Sequence, residues 1–197
     1  MITIVESGGA NIASVRFAFE RLGLESEWTS DPDRIAKASH VLLPGVGAAA
    51  EAMRQMKARG LIECLKSLTC PVLGICLGMQ LLFDHSEEGN VDLLGLVPGN
   101  ITRFKETKDY PVPHMGWNNI QLVNRAHPLL SDIADNSYVY FVHSYNASQS
   151  EYTIASCDYA SKTFSAVVAK DNVMGCQFHP ERSSRAGSQI FTNFARL

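Results

Sequence analysis

Through the first half of the chain, short apolar runs alternate with stretches whose apolar positions recur every three or four residues. Ile2, Ile4 and Val5 predict a strand ending near Glu6, and Ile12, Val15, Phe19 and Leu22 then fall on one helical face. Asn11 is a competent N-cap for that helix, and Gly23 suits the position just past its end. A strand is expected near Leu24 to Trp28, and Asp31-Pro32 reads as the cap and first position of a short helix. His40 to Pro44 forms a third strand pattern, followed by the loop Pro44-Gly-Val-Gly47. Helical spacing from Ala48 to about Leu68 turns Met53, Met56, Leu61 and Leu65 toward a core. Pro71 to Ile75 is a fourth strand that runs straight into another helix start.

Strands dominate the second half, over Ile101 to Phe104, Trp117 to Leu122, Tyr138 to Val142, Tyr152 to Cys157, Phe164 to Ala169 and Val173 to Phe178. These runs are short and bounded by turn residues, as antiparallel ribbons are. A helix from about Ser184 to Ala195 ends the pattern. The expected fold is therefore α/β, a mostly parallel central sheet flanked by helices, with additional antiparallel strands in the second half. At 197 residues one domain, 1–197, is expected, and neither an internal repeat nor a linker divides it.

Composition narrows the function more than the fold. With 46% hydrophobic and 19% charged residues, disordered and fibrous classes drop out. A net charge of −3, with no clustering of Lys and Arg, argues against nucleic-acid binding. The longest apolar runs are strand-sized, and the start lacks the basic region and apolar stretch of a signal peptide, so no membrane association and a cytoplasmic location are expected. Five cysteines without CxxC spacing suit free thiols in a reducing compartment. Cys64, Cys70, Cys157 and Cys176 read as small buried hydrophobes. Six histidines show no ligand spacing, so no metal and no cofactor are expected.

Two segments carry candidate chemistry. In Gly74-Ile-Cys-Leu-Gly78, Cys76 stands at a strand-to-helix turn with glycines two residues away on either side. Such a turn holds a nucleophile clear of the sheet and lets substrate approach the backbone, and a helix N-terminus favours thiolate. In Gly175-Cys-Gln-Phe-His-Pro-Glu181, His179 and Glu181 follow a short apolar strand. Alone, the first motif equally suits a buried cysteine in a packing turn, His179 a satisfied core histidine, and Glu181 a solvated charge. Together they supply nucleophile, base and orienting acceptor, the logic of a triad. Gly45 to Gly47, Cys76 and His179 all follow apolar strands, at the sheet end where open α/β folds bind ligands.

GICLGMQ (Gly74 to Gln80) with QFHPE (Gln177 to Glu181) resembles the class I, triad-type glutamine amidotransferases. Within them, Ser7 to Asn11, LPGVG (Leu43 to Gly47), PHMGWN (Pro113 to Asn118), YFVHSY (Tyr140 to Tyr145) and QFHPERS (Gln177 to Ser183) resemble the branch that serves a (β/α)8 cyclase subunit in histidine biosynthesis. The likeness runs from the first strand to the last helix. It implies that L-glutamine is hydrolysed to glutamate and ammonia through Cys76, His179 and Glu181 by way of a γ-glutamyl thioester. It further implies an oxyanion hole from the N–H groups of Leu77 and Val46, with the flanking Gly45 and Gly47 letting the Val46 peptide flip. Gln80, one helical turn after Cys76, with Ser144 and Tyr145, would contact substrate; otherwise they are packing or strand-end residues.

For the cyclase interface the resemblance suggests Asn11, Trp117, Asn118, Tyr138 and Arg182, with Trp117 either an exposed anchor or half-buried under the sheet. Glutaminase activity is expected to be low alone and to rise with the liganded partner. Glu6 stands where the family more often has Asp, Gly9-Ala10 varies in related chains, and Cys176 replaces an aliphatic residue. Amidotransferases with other partners, a non-catalytic binding module and a cysteine hydrolase of peptides or γ-glutamyl conjugates are the competing readings.

Overall fold

Residues 1–6, 12–45 and 47–197 are described by the structure, a computed structural model, with Ile12 given by its backbone alone. The first half contains β1 (Ile2–Val5), α1 (Ile12–Arg21), β2 (Ser26–Thr29), α2 (Pro32–Ala36), β3 (His40–Gly45), α3 (Ala49–Ala58), α4 (Leu61–Lys66), β4 (Val72–Cys76) and the single turn α5 (Leu77–Gln80). Then come β5 (His85–Ser86), β6 (Val91–Asp92), β7 (Asn100–Arg103), β8 (His114–Leu122), β9 (Ser137–His143), β10 (Tyr145–Ala147), β11 (Thr153–Tyr159), β12 (Lys162–Lys170), β13 (Val173–Cys176) and α6 (Ser184–Phe194).

Nine strands form one sheet in the order β2-β1-β3-β4-β13-β12-β11-β8-β9. The strands from β2 to β13 run parallel, and the rest continue antiparallel, as the sequence pattern predicted except for β13, which it grouped with the antiparallel ribbons and which pairs parallel with β4. Strand alternation seals both faces of the parallel half. Ile4, Leu42, Leu73 and Ile75 point into one core, against Val15 and Phe19 of α1 and Phe191 and Phe194 of α6. Val5, Val41, Leu43 and Val72 point into the other, against Ile35, Met56, Leu61 and Leu65 of α2 to α4. Each such side chain contributes roughly 1.5–3 kcal/mol by leaving water.

Four expectations are corrected. Cys64 and Cys70, expected to be buried, are only half-buried, whereas Cys157 and Cys176 are buried. The helix expected over Ala48 to Leu68 is broken at Gly60, whose φ of 69° is left-handed and separates α3 from α4. β13 stops at Cys176, so Phe178 lies past the strand, fully buried. A second sheet, β10-β7-β5-β6, was unforeseen except for β7, because its other strands are only two or three residues long. Among the described residues, no helix is long and apolar enough to cross a membrane, and no group of three or more His, Cys, Asp or Glu side chains is placed to hold a metal.

Candidate active site

Three adjacent parallel strands deliver the sequence-predicted residues to one place. Gly45 ends β3 and pairs with Cys76 at the end of β4, while β13 pairs with β4 and leads into His179. A pocket of about 480 Å³ opens there, bordered by Gly45, Gly47, Cys76, Leu77, His179 and Glu181. It reaches Gln80, Ser144, Tyr145 and Arg182 as well. Val46 and Asn11 lie outside the described residues.

Cys76 has φ 53° and ψ −111°, a backbone state that non-glycine residues avoid at a cost of about 1–3 kcal/mol. The glycines around it explain how that state is held. A Cβ on Gly78 would stand 1.8 Å from the carbonyl oxygen of Leu43, and one on Gly74 2.6 Å from that of Gly78. Backbone of α5 therefore lies directly on backbone of β3 and β4. The sequence reading gave these glycines to substrate access; their immediate task is packing that forces the sharp turn. α5 is one turn long, so its helix dipole at the site is small.

His179 is 7% exposed, and its Nδ1 lies 2.8 Å from Oε1 of Glu181. Burial disfavours its charge, but Cys76 and Glu181 outweigh that and raise its pKa to about 10. Nε2 is buried within reach of Cys76 without a hydrogen bond of full geometry, as is common before substrate tightens a site. The thiol itself points at the carbonyl of Val142, 3.8 Å away. Ser183 fixes the histidine's backbone: its hydroxyl donates to the His179 carbonyl at 2.7 Å and accepts from the Tyr140 N–H at 2.9 Å.

Gln80 borders the pocket, yet its Nε2 is already committed to the Tyr145 carbonyl and to Oε1 of Gln177, each at 3.0 Å. The Ser144 carbonyl likewise accepts from the Phe104 N–H. These three therefore act on the pocket partly as framework. Sequence reasoning missed Gln177, which is fully buried and whose Nε2 is 3.9 Å from Sγ of Cys76. It also missed Glu88, a carboxylate on the pocket wall with one oxygen 2.8 Å from the Ala49 N–H.

Alternation along β8 and β9 divides the expected interface residues. Trp117 and Tyr138 lie on the outer face, 54% and 63% exposed, with Met115, an unpredicted neighbour, at 64%. The half-buried alternative for Trp117 is thus set aside. Asn118, one residue on from Trp117, lies on the inward side and is partly buried, its Nδ2 donating to the Asp158 carbonyl at 3.1 Å. Arg182 sits at the pocket edge, its guanidinium 6.0 Å from the Tyr140 ring centre.

Beneath that face, Nδ1 of His114 and Nε2 of His143 are 3.0 Å apart. Burial lowers the two pKa values to about 4 and about 3 respectively. In the unfolded chain both take up protons near pH 6.5, and in the fold neither does until well below, so they favour folding above that pH and oppose it as acid is added. From pH 6.5 toward pH 4, each is expected to steepen the fall in unfolding free energy by about 1.4 kcal/mol per pH unit. Urea melts across this window test it; a flat profile contradicts a neutral buried pair.

The family description "Glutamine amidotransferase class-I" matches residues 3–197. The chain is 50% identical over 193 residues to the imidazole glycerol phosphate synthase subunit HisH of Pasteurella multocida, covering 98% of this chain and 96% of that one. It is 46% identical over 196 residues to the protein of the same name from Xylella fastidiosa, covering 100% and 97%. Among solved structures, PurLQS from Thermotoga maritima aligns with a TM-score of 0.75 at 18% identity, covering 99% of this chain and 97% of that one. The glutaminase domain of Trypanosoma brucei CTPS aligns at 0.70 and 15%, covering 99% and 93%. At such low identity these two speak for the fold alone, whereas the family match spans both halves of the sheet and every strand that borders the pocket: the chain belongs to the class I glutamine amidotransferases.

Proposed function

We propose that this chain is the glutaminase subunit of an imidazole glycerol phosphate synthase. It hydrolyses L-glutamine and passes the ammonia to a (β/α)8 cyclase subunit, which makes imidazole glycerol phosphate and aminoimidazole carboxamide ribotide in histidine biosynthesis. The observation that carries the reading is the meeting of Cys76 with the His179–Glu181 pair at one pocket, in a chain half identical to a named synthase subunit.

In the proposed reaction, Sγ of Cys76 attacks the carboxamide carbon of glutamine while the thiol's proton rests on His179. The negative charge that develops on the amide oxygen is met by the Leu77 N–H, with Val46 as the second donor. Collapse of the tetrahedral intermediate breaks the C–N bond, and His179 gives its proton to the nitrogen so that ammonia leaves. A γ-glutamyl thioester remains. Water attacks it, His179 takes the water's proton, and the thiol returns as glutamate departs. Glu181 holds the imidazole with Nε2 toward the sulfur. The Glu88 carboxylate suits the substrate's ammonium group.

Trp117, Met115 and Tyr138 form an exposed apolar face beside the pocket, suited to docking the cyclase, since buried Trp and Tyr anchor many interfaces. A cytoplasmic site of action fits the five free cysteines. The test is glutamate release by the purified chain, with and without a (β/α)8 cyclase and its nucleotide ligand. Activity that rises with the partner is expected. Turnover that is the same with and without it removes the coupled-synthase reading.

A further inference from the structure

Two hydrogen-bonded runs, one from Asn118 on the strand beneath the outer apolar face through the buried His114 and His143, the other from the sulfur of Cys76 through the buried Gln177 and Gln80, meet on the Tyr145 carbonyl. The first starts at Asn118, whose Oδ1 accepts from the Asn119 N–H at 2.8 Å. That bond orients the amide so that Nδ2 donates to the Asp158 carbonyl and toward Nε2 of His114, 3.4 Å away. With its Nε2 accepting, His114 carries its proton on Nδ1 and donates to Nε2 of His143 at 3.0 Å. His143 in turn donates from Nδ1 to the Tyr145 carbonyl at 2.8 Å. The same carbonyl accepts from Gln80, whose other N–H reaches Gln177, and Gln177 donates toward Sγ of Cys76.

Every direction in the histidine run is dictated by its ends. A backbone N–H fixes the Asn118 amide, and a backbone carbonyl, which can only accept, fixes His143. Between them each histidine has one tautomer that satisfies both neighbours. The His114 ring is also held in place, lying nearly parallel to Tyr159 on one side at 3.9 Å and to Phe141 on the other at 4.8 Å. Such networks are costly to leave half satisfied, so a break in either run leaves its buried neighbours unpaired.

We propose that Asn118, His114, His143, Gln80 and Gln177 act together as positioning residues: two hydrogen-bonded runs, joined at the Tyr145 carbonyl, that hold the Cys76 thiol and the Tyr145 segment of the pocket wall in reacting register. None of the first four touches the sulfur; they act through Gln177 and the Tyr145 carbonyl. The proposal rests on Cys76 being the glutaminase nucleophile, so its test includes a readout that needs no glutamine.

His114→Phe keeps an aromatic ring between Tyr159 and Phe141 and cuts the first run. Gln177→Leu cuts the second. Each is expected to lower kcat for glutamine in the cyclase-bound enzyme about tenfold with little change in KM, because misplacing a reacting group is costly. Each is also expected to slow iodoacetamide alkylation of Cys76, followed by peptide mass spectrometry, by about threefold or more, since the sulfur loses its donor in Gln177→Leu and, in His114→Phe, the anchoring of the Tyr145 carbonyl that holds Gln80 and, through it, that donor. His114→Gln, whose amide can accept from Asn118 and donate to His143, should restore both rates; a merely structural ring would be served better by Phe. If one cut variant fails to fold, the other decides. Wild-type alkylation rates in the folded cut variants, or equal losses in His114→Gln and His114→Phe, overturn the positioning role. Absence of glutamine turnover by the wild-type complex, with the alkylation pattern intact, overturns the glutaminase reading and leaves the positioning role standing.

Discussion

Glutamate release is expected to fall by about four orders of magnitude in His179→Asn and by at least as much in Cys76→Ala, and the double variant should lose no more than either alone. The expectation follows from geometry. His179 lies between Cys76 and Glu181, and its pKa, raised to about 10, reflects a proton held on the imidazole, with burial opposing the charge and the two neighbours favouring it. Removing the imidazole leaves a thiol without a base and a leaving amine without an acid, so the sulfur has nothing left to contribute. Removing the sulfur leaves the imidazole with no acyl group to release. Losses that multiplied in the double variant would mean that the two act independently, which contradicts their assignment to one reaction coordinate. Glutamate release measured at saturating glutamine in the cyclase complex, with melting temperatures as the control for folding, gives the comparison.

The largest effect on stability is expected at Gly78. A methyl group there would lie 1.8 Å from the Leu43 carbonyl oxygen and 2.8 Å from its carbon. Both are backbone atoms of β3, deep in the parallel sheet, so no side chain can swing aside. Gly78→Ala must lift α5 off β3, and with it the fully buried Met79, Leu81 and Leu82. We expect a loss above 4 kcal/mol, against a total of about 5–15 kcal/mol for an ordinary domain. Thermal or urea melts would show it as a midpoint about 10 °C or more below that of the unchanged chain. A variant melting within about 2 °C of that chain would mean that the close backbone contact is not needed.

How far the sequence could be read depended on the distance over which each feature is encoded. Strands such as Val41 to Leu43 and Val72 to Ile75 are apolar on both faces, and that signature is local, so the parallel half was legible. The break at Gly60 is local too, but a glycine inside a helical pattern is ambiguous until its φ is known. The two-residue strands β5 and β6 carry no periodicity and exist only because β7 and the chain beside it supply partners. Within the site, Cys76, His179 and Glu181 stood out as a chemical set. Gln177 did not, because what makes it matter is a contact with Cys76, 101 residues away along the chain. The inward turn of Asn118 was available from alternation alone, once Trp117 was placed outside. The pairing of His114 with His143 becomes visible only when β8 and β9 are set antiparallel in register, His114 opposite His143.

β8 therefore carries two interleaved sets of residues. Its inward positions, His114, Asn118 and Ile120, serve the histidine run and the core, while Met115 and Trp117 between them face outward. Substitution can alter one set and spare the other. A change in length cannot, because losing or gaining a single residue reverses the facing of everything beyond it, bringing Trp117 inside and turning Asn118 out. Over evolutionary time this stretch is thus free to drift in spelling on its outer face, and to follow a changing partner there, while its residue count stays frozen by the histidines behind it.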